Sequence, residues 1–316
     1  MPQRKASVLY AGTSGWAYPE WRAKFYPADL PQARFLEFYA RRFHAVEVNY
    51  TFCGRHALTP TTAEGWLAQT DENFVFAFRG PKPITHFHRH RLRNAEHLVR
   101  QFQTTLLPFG RANRLGPILF QLPETFSVDV QTLDDFLREW PREWRVSFEF
   151  RNRSWFTDAV YDVLQRHGAA LCVAERDESE TPEALTAGFT YLRLRRSAYS
   201  PTALEKIAER LERYAERGDV FAFFARAIQD RCTRKRSRVW CSLCESSVSG
   251  GVMPSRRLRP RPRDTAAWFW RNAERRSPVR RYRGASVFPT RSSSSPCSRR
   301  RQAHGRFPSR ERRPCR

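Results

Sequence analysis

The sequence predicts a (β/α)8 barrel of the TIM type over residues 1–224. Three observations carry that expectation. Eight short apolar runs with strand character recur along this stretch. Helical stretches separate most of them, the alternation that gives parallel strands with crossover helices. The first strand-to-helix loop, "GTSGWAYPEW", has only Gly12 and Gly15 as glycines. It therefore lacks the G-x-G-x-x-G turn of a doubly wound dinucleotide-binding sheet, the competing topology.

In chain order, the first strand-like run is "VLYAGTSGW" (8–16). The helical stretch "LPQARFLEFYARRF" follows, with Phe35, Phe38, Tyr39 and Phe43 on one apolar stripe. Strand-like runs then come at "AVEVNYTF" (45–52), "FVFAFRG" (74–80) and "GPILFQLP" (116–123). "VQTLDDFLREW" sets Leu133, Phe136, Leu137 and Trp140 along a second helical stripe. "RVSFEFR" (145–151) and "AALCVAER" (169–176) are the next strands. The connection from Asp177 to Gly188 has no regular period and reads as a loop or broken helix. After "FTYLRLR" (189–195), the stretch "SPTALEKIAERLERYAERG" has a Ser cap, a Pro in its first turn and a Gly beyond its end. "DVFAFF" (219–224) completes the eight.

Parallel strands buried on both faces usually read as continuous apolar runs. Several of these alternate instead. Glu47 and Asn49 oppose Val46 and Val48; Glu149 and Arg151 oppose Val146, Phe148 and Phe150. Tyr191, Arg193 and Arg195 oppose Leu192 and Leu194, while Gln121 and Arg79 oppose their phenylalanine neighbours. The expectation is that the larger apolar residues meet the helices and the polar ones point into the barrel. Most would sit near the C-terminal strand ends, where barrel enzymes place their chemistry.

Two readings of that polar set stay open. In one, it is a self-satisfied salt-bridge network filling the barrel mouth. In the other, Arg79, Arg151 and Arg193 hold a small anion, since guanidinium forks match phosphate and carboxylate. Glu47, Glu149 and His86 would then carry protons, or the same site would bind without catalysis. A metal site made from Glu47, His86 and Glu149 lacks a spacing signature, and no metal is predicted. No cofactor is assigned. Trp16, Tyr18, Trp21, Phe25 and Tyr26 offer either a stacking wall for a ligand or a hydrophobic plug over one barrel end. Cys53 reads as a bystander thiol.

The charge divides sharply along the chain. Residues 1–224 hold 30 Lys+Arg against 27 Asp+Glu, and residues 225–316 hold 26 against 5, out of a formal total of +24. The basic excess is thus no argument that the barrel itself binds nucleic acid. With no membrane-length apolar run and a polar "MPQRKAS" start, a cytoplasmic protein with no membrane partner is expected.

"GTSGW", "FYP", "VEVNYTF", "ITH", "GPILFQLP", "FEFRNRSW" and "YLRLR" together resemble the successive signatures of the YecE-like family, domain of unknown function 72, from about Tyr10 to Phe224. The resemblance implies a (β/α)8 barrel and supplies no reaction. It aligns Gly12, Thr13, Ser14, Gly15, Trp16, Glu47, Asn49, Thr51, Phe52, Thr85 and His86 with the family pattern. Gln121, Pro123, Glu149, Arg151, Trp155, Arg193 and Tyr199 align likewise. On this basis Trp16, Asn49, Gln121 and Tyr199 join the three arginines as expected ligand-binding residues. Arg79 stands where a lysine is usual, Asn152-Arg153 replaces His-Pro, and Arg195-Arg196 replaces His-Gly.

The family pattern continues after the eighth strand into a loop and helix of the form PLYAExL. Here the chain turns into Arg-, Ser- and Pro-rich text without periodicity. Reading Ile228 to Trp240 from the third base of each codon permits PGPLYAEALARL, and residues 225–316 hold 25 Arg to one Lys. Residues 225–316 therefore read as an out-of-frame, disordered tail. Such a tail would bind nucleic acid non-specifically through phosphates. Cys241 and Cys244 lack a second ligand pair at zinc-finger spacing. Without its last helix, the barrel is expected to bare outer apolar residues of the first and eighth strands, Phe221 and Phe223 among them.

Overall fold

The computed structural model describes residues 7–53, 58–87 and 91–225, without the Cys53 side chain. The thiol expected to be a bystander there, the Cys241/Cys244 pair and the out-of-frame reading of 226–316 lie outside the described residues.

Eight parallel strands close into a barrel in sequence order. They are β1 (Leu9–Ser14), β2 (Ala45–Val48), β3 (Val75–Arg79), β4 (Leu115–Leu122), β5 (Val146–Phe150), β6 (Ala170–Glu175), β7 (Phe189–Leu194) and β8 (Asp219–Phe224). Closure comes from β1 against β8, registered from Leu9 opposite Val220 to Thr13 opposite Phe224. The helices are α1 (Phe35–Ala40), α2 (Tyr50–Cys53), α3 (Pro60–Ala68), α4 (Lys82–His86), α5 (Glu96–Arg111), α6 (Val130–Arg138), α7 (Asp158–His167) and α8 (Pro201–Ala215). Between β6 and β7 the chain from Arg176 to Gly188 forms no helix.

Local chemistry starts several helices as the sequence suggests. Ser200 Oγ accepts from Ala203 N at the head of α8, and Asp129 caps α6 through Thr132 N. The α6 stripe Leu133, Phe136 and Leu137 is buried, with Trp140 beyond it. Between helices and strands lies a large aromatic core that includes Phe35, Tyr39, Phe76, Phe78, Phe109, Phe120 and Phe148.

Strand alternation sends a second set inward. Ala45, Ala77, Leu119, Cys172, Tyr191, Phe221 and Phe223 make one buried cluster inside the barrel. This corrects the expectation for Phe221 and Phe223. They face the interior, and Val220, Ala222 and Phe224 face outward into the cluster shared with α8 residues Leu204, Ile207 and Leu211. Close strand approach also fixes Gly12, where a Cβ would come within 2.0 Å of the Ala45 carbonyl oxygen. Among the described residues, no helix is long and apolar enough to cross a membrane.

Candidate functional site

The inward positions one step beyond that apolar cluster, toward the C-terminal strand ends, carry the polar residues. Arg193 on β7 is 1% exposed, and Glu47 on β2 and Glu149 on β5 are 0% exposed. Arg193 Nη2 donates to Glu47 Oε1 at 2.7 Å and Nη1 to Glu149 Oε2 at 2.5 Å. Glu47 further accepts from Ser14 Oγ at 2.7 Å and from the Tyr191 hydroxyl at 2.8 Å. Arg176 Nη2 stands 2.7 Å and Arg151 Nε 3.4 Å from Glu149 Oε1, and Arg195 Nη2 3.4 Å from Glu47 Oε1. These three arginines line the rim, each with 26–33% of its side chain exposed.

Arg79, at the end of β3, is held differently. Its Nη1 donates to Asn49 Oδ1 at 3.2 Å and its Nη2 to Gln121 Oε1 at 2.7 Å. Its guanidinium carbon lies 3.6 Å from the Phe52 ring centroid. Gln121 Oε1 also accepts from Arg193 Nη1 at 3.4 Å, which links the two arginines. Among the described residues Arg79 has no carboxylate partner, and its buried Nε has no hydrogen-bond acceptor. Burial and the neighbouring Arg193 push its pKa down to about 10.

The electrostatics separate the proton-carrying candidates. Burial alone would raise the Glu149 carboxyl. The charge and hydrogen bond of Arg193, with Arg151 and Arg176, outweigh it and hold the pKa at about 2. Glu47 and Glu149 together raise Arg193 against its own desolvation. His86 ends α4, half-buried, its Nδ1 2.7 Å from Thr85 Oγ1 and its ring edge-on to Phe52 at 5.2 Å. Burial first, then Lys82, Arg79 and Arg151, lower its pKa to about 4. At neutral pH the site therefore holds ionised Glu149 and uncharged His86.

Glu47, Asn49, Arg79, Gln121, Glu149, Arg151 and Arg193 thus meet in one connected set, with His86 joined to it through Phe52. Trp16 and Tyr199 make other contacts. The Trp16 indole packs edge-on against Trp66 at 4.8 Å, and Tyr26 donates to the Trp16 carbonyl at 2.7 Å. Tyr18, Trp21, Phe25 and Tyr26 pack on one another, and Phe25 and Tyr26 also pack on Phe38 and Phe35 of α1. Tyr199 packs on Phe224 at 6.3 Å and accepts from Arg196 N at 3.2 Å. The sequence places Tyr191 and Arg195 on the inward face with Arg193 and aligns Ser14 with the family pattern, but names none of them as a site residue. Arg176 was missed, although it ends its strand run as Arg151 does.

Five guanidinium groups (Arg79, Arg151, Arg176, Arg193 and Arg195) meet two carboxylates here. Such a site can take up negative charge. Among the described residues no group of three or more His, Cys, Asp or Glu side chains is arranged to hold a metal ion.

Comparison with known proteins agrees with this architecture. A family model described as "Protein of unknown function DUF72" matches residues 10–245. UPF0759 protein YecE of Escherichia coli K12 is 33% identical over 163 residues, 51% of this chain and 55% of that protein. UPF0759 protein YunF of Bacillus subtilis 168 is 28% identical over 162 residues, 49% of this chain and 55% of that protein. The chain spans about half the length of the curated relatives it matches. A crystal structure of a DUF72 family protein from Thermotoga maritima MSB8 superposes with a TM-score of 0.63 at 21% identity, over 77% of this chain and 99% of the other. One from Enterococcus faecalis V583 gives 0.59 at 13%, over 76% and 98%. At these identities the structural likeness speaks for the fold.

Proposed function

The chain belongs to the DUF72 family of proteins of unknown function, and from that premise we propose that its barrel mouth binds a small anionic molecule, phosphorylated or nucleotide-like, and acts on it by proton transfer. The observation that carries this reading is Arg79, a largely buried guanidinium facing amide oxygens and a phenyl ring, with no carboxylate partner among the described residues. A desolvated cation that Glu47 and Glu149 offset only from a distance, both being paired with Arg193, is costly to keep in a fold, and an anion would relieve it. Arg151, Arg176 and Arg195 supply further donors at the rim. His86, uncharged at neutral pH, has a ring nitrogen free to accept a proton. Glu47 and Glu149, bound up with arginines, set the field and hold Arg193 in place.

The test is phosphate and sulfate binding to the full chain, compared with Arg79→Met. Loss of affinity in the variant supports the reading; equal affinity removes its basis.

A second reading, a non-catalytic binding barrel, is favoured by the engagement of both carboxylates with guanidinium groups. Turnover of a panel of phosphorylated sugars and nucleotides separates the two. An enzyme loses turnover in His86→Gln, whereas a binder shows none in either protein. The proposal includes a cytoplasmic setting, in keeping with the free Cys172 thiol. Non-specific nucleic-acid binding is assigned to the basic tail, and deletion of residues 225–316 should abolish it.

A further inference from the structure

We infer that a bound anion draws a proton onto His86, so that filling the site and protonating this imidazole are coupled. The inference rests on the reading that the arginine cluster holds an anion, and it adds what that anion does to the base beside it.

The geometry joins the two groups through one ring. Phe52 carries the Arg79 guanidinium 3.6 Å from its centroid and the His86 imidazole at 5.2 Å. Thr85, fully buried on the same helix, engages His86 Nδ1 at 2.7 Å. In the tautomer whose Nδ1–H donates to that hydroxyl, Nε2 holds the lone pair that titrates; when the hydroxyl donates, Nδ1 is the acceptor and Nε2 carries the hydrogen. Among the described residues, the charged groups around the ring are Lys82 on its own helix, Arg79 at the end of β3 and Arg151 just beyond β5. All three are cations, and among the described residues no carboxylate forms an ion pair with His86. The imidazole is uncharged because it is desolvated and surrounded by positive charge.

An anion held by Arg79 and Arg151 reverses that field. At a separation of about 6 Å and an effective dielectric constant of about 20, one added negative charge raises proton affinity on the order of a hundredfold. His86 is then a weak base in the empty site and a stronger one in the occupied site, so the ligand would switch on its own proton acceptor.

Sulfate is the probe, because it remains a dianion through the range tested and any proton taken up comes from the protein. Calorimetric titration of the full chain near pH 5.5, in two buffers of different ionisation enthalpy, reads protons bound per sulfate. The difference between wild type and Arg79→Met isolates the mouth from the basic tail. We expect uptake of a large fraction of one proton, with affinity rising up to about tenfold per unit fall in pH. His86→Gln should bind without that uptake and without that pH dependence. The His86 ring resonance, followed by NMR with and without sulfate, needs no substitution, and its midpoint should move up by about one pH unit or more. Arg79-dependent binding with no proton uptake, or an unmoved midpoint, overturns the coupling and leaves the anion site standing. Absence of any Arg79-dependent binding overturns the site and the coupling together.

Discussion

Arg193 on β7 donates to Glu47 on β2 at 2.7 Å, across the barrel interior, with β8 and β1 standing between those strands in the wall. The same guanidinium reaches Glu149 on β5. Three strands far apart in sequence are thus tied through the middle of the barrel by one fully desolvated cation. Arg193→Met leaves both carboxylates without their main counter-charge, and breaking a buried pair in this way costs about 3–5 kcal/mol. A fall in the denaturation midpoint of that size, with the slope unchanged, is the expected outcome in urea titration. A loss below about 1 kcal/mol would contradict this account of the interior.

Arg79 should behave in the opposite way. Met keeps the packing on Phe52 and removes a charge that no carboxylate among the described residues contacts. Arg79→Met is expected to leave stability unchanged or raise it by about 1 kcal/mol, the usual trade at a site kept for binding. Anion affinity should fall at least about tenfold. Thermal melting and phosphate titration of the same preparation check both halves, and a large loss of stability would recast Arg79 as structural.

Acid should weaken the fold in two stages. His86 has its folded-state pKa lowered from 6.5 to about 4. The unfolded chain therefore takes up a proton there first, and stability declines as pH falls through that window. With the ring half in solvent, the loss is on the order of 1 kcal/mol. Glu149, lowered from 4.5 to about 2, contributes stability that is complete above pH 4.5 and lost as pH falls toward 2. That second stage is on the order of 3 kcal/mol. Urea unfolding at a series of pH values should show both limbs, and Glu149→Gln should flatten only the lower one.

We propose that residues from about 225 onward are read out of frame. The nucleotide sequence around codons 222–232 should then contain a one-frame shift whose correction yields a segment like PGPLYAEALARL. A chain carrying the corrected frame should melt higher than this one. Equal melting temperatures would count against the proposal.

Each of the eight strands overlaps a run visible in the sequence, β4 starting one residue before its run at Leu115. On β2, β5 and β7 polar residues at every second position mark the face turned to the barrel mouth. Glu47, Glu149 and Arg193 were legible for that reason. On β8 the rule has nothing to grip. Val220, Phe221, Ala222, Phe223 and Phe224 are all apolar, so periodicity separates two faces without saying which is inside, and the phenylalanines were assigned to the wrong one. Trp16 and Tyr199 sit in loops, where no period says which way a ring turns, and both pack into hydrophobic clusters. The choice of an amide cradle for Arg79 rather than a carboxylate depends on register between three strands, which a single sequence does not specify.

Beneath Glu47, Arg79, Gln121 and Arg193, the preceding inward residue on each strand is Ala45, Ala77, Leu119 and Tyr191, all within the buried interior. The layer under the charged set is therefore apolar and buried, so a molecule held by Arg79 and its neighbours would approach them from the C-terminal ends of the strands and depart toward the same side.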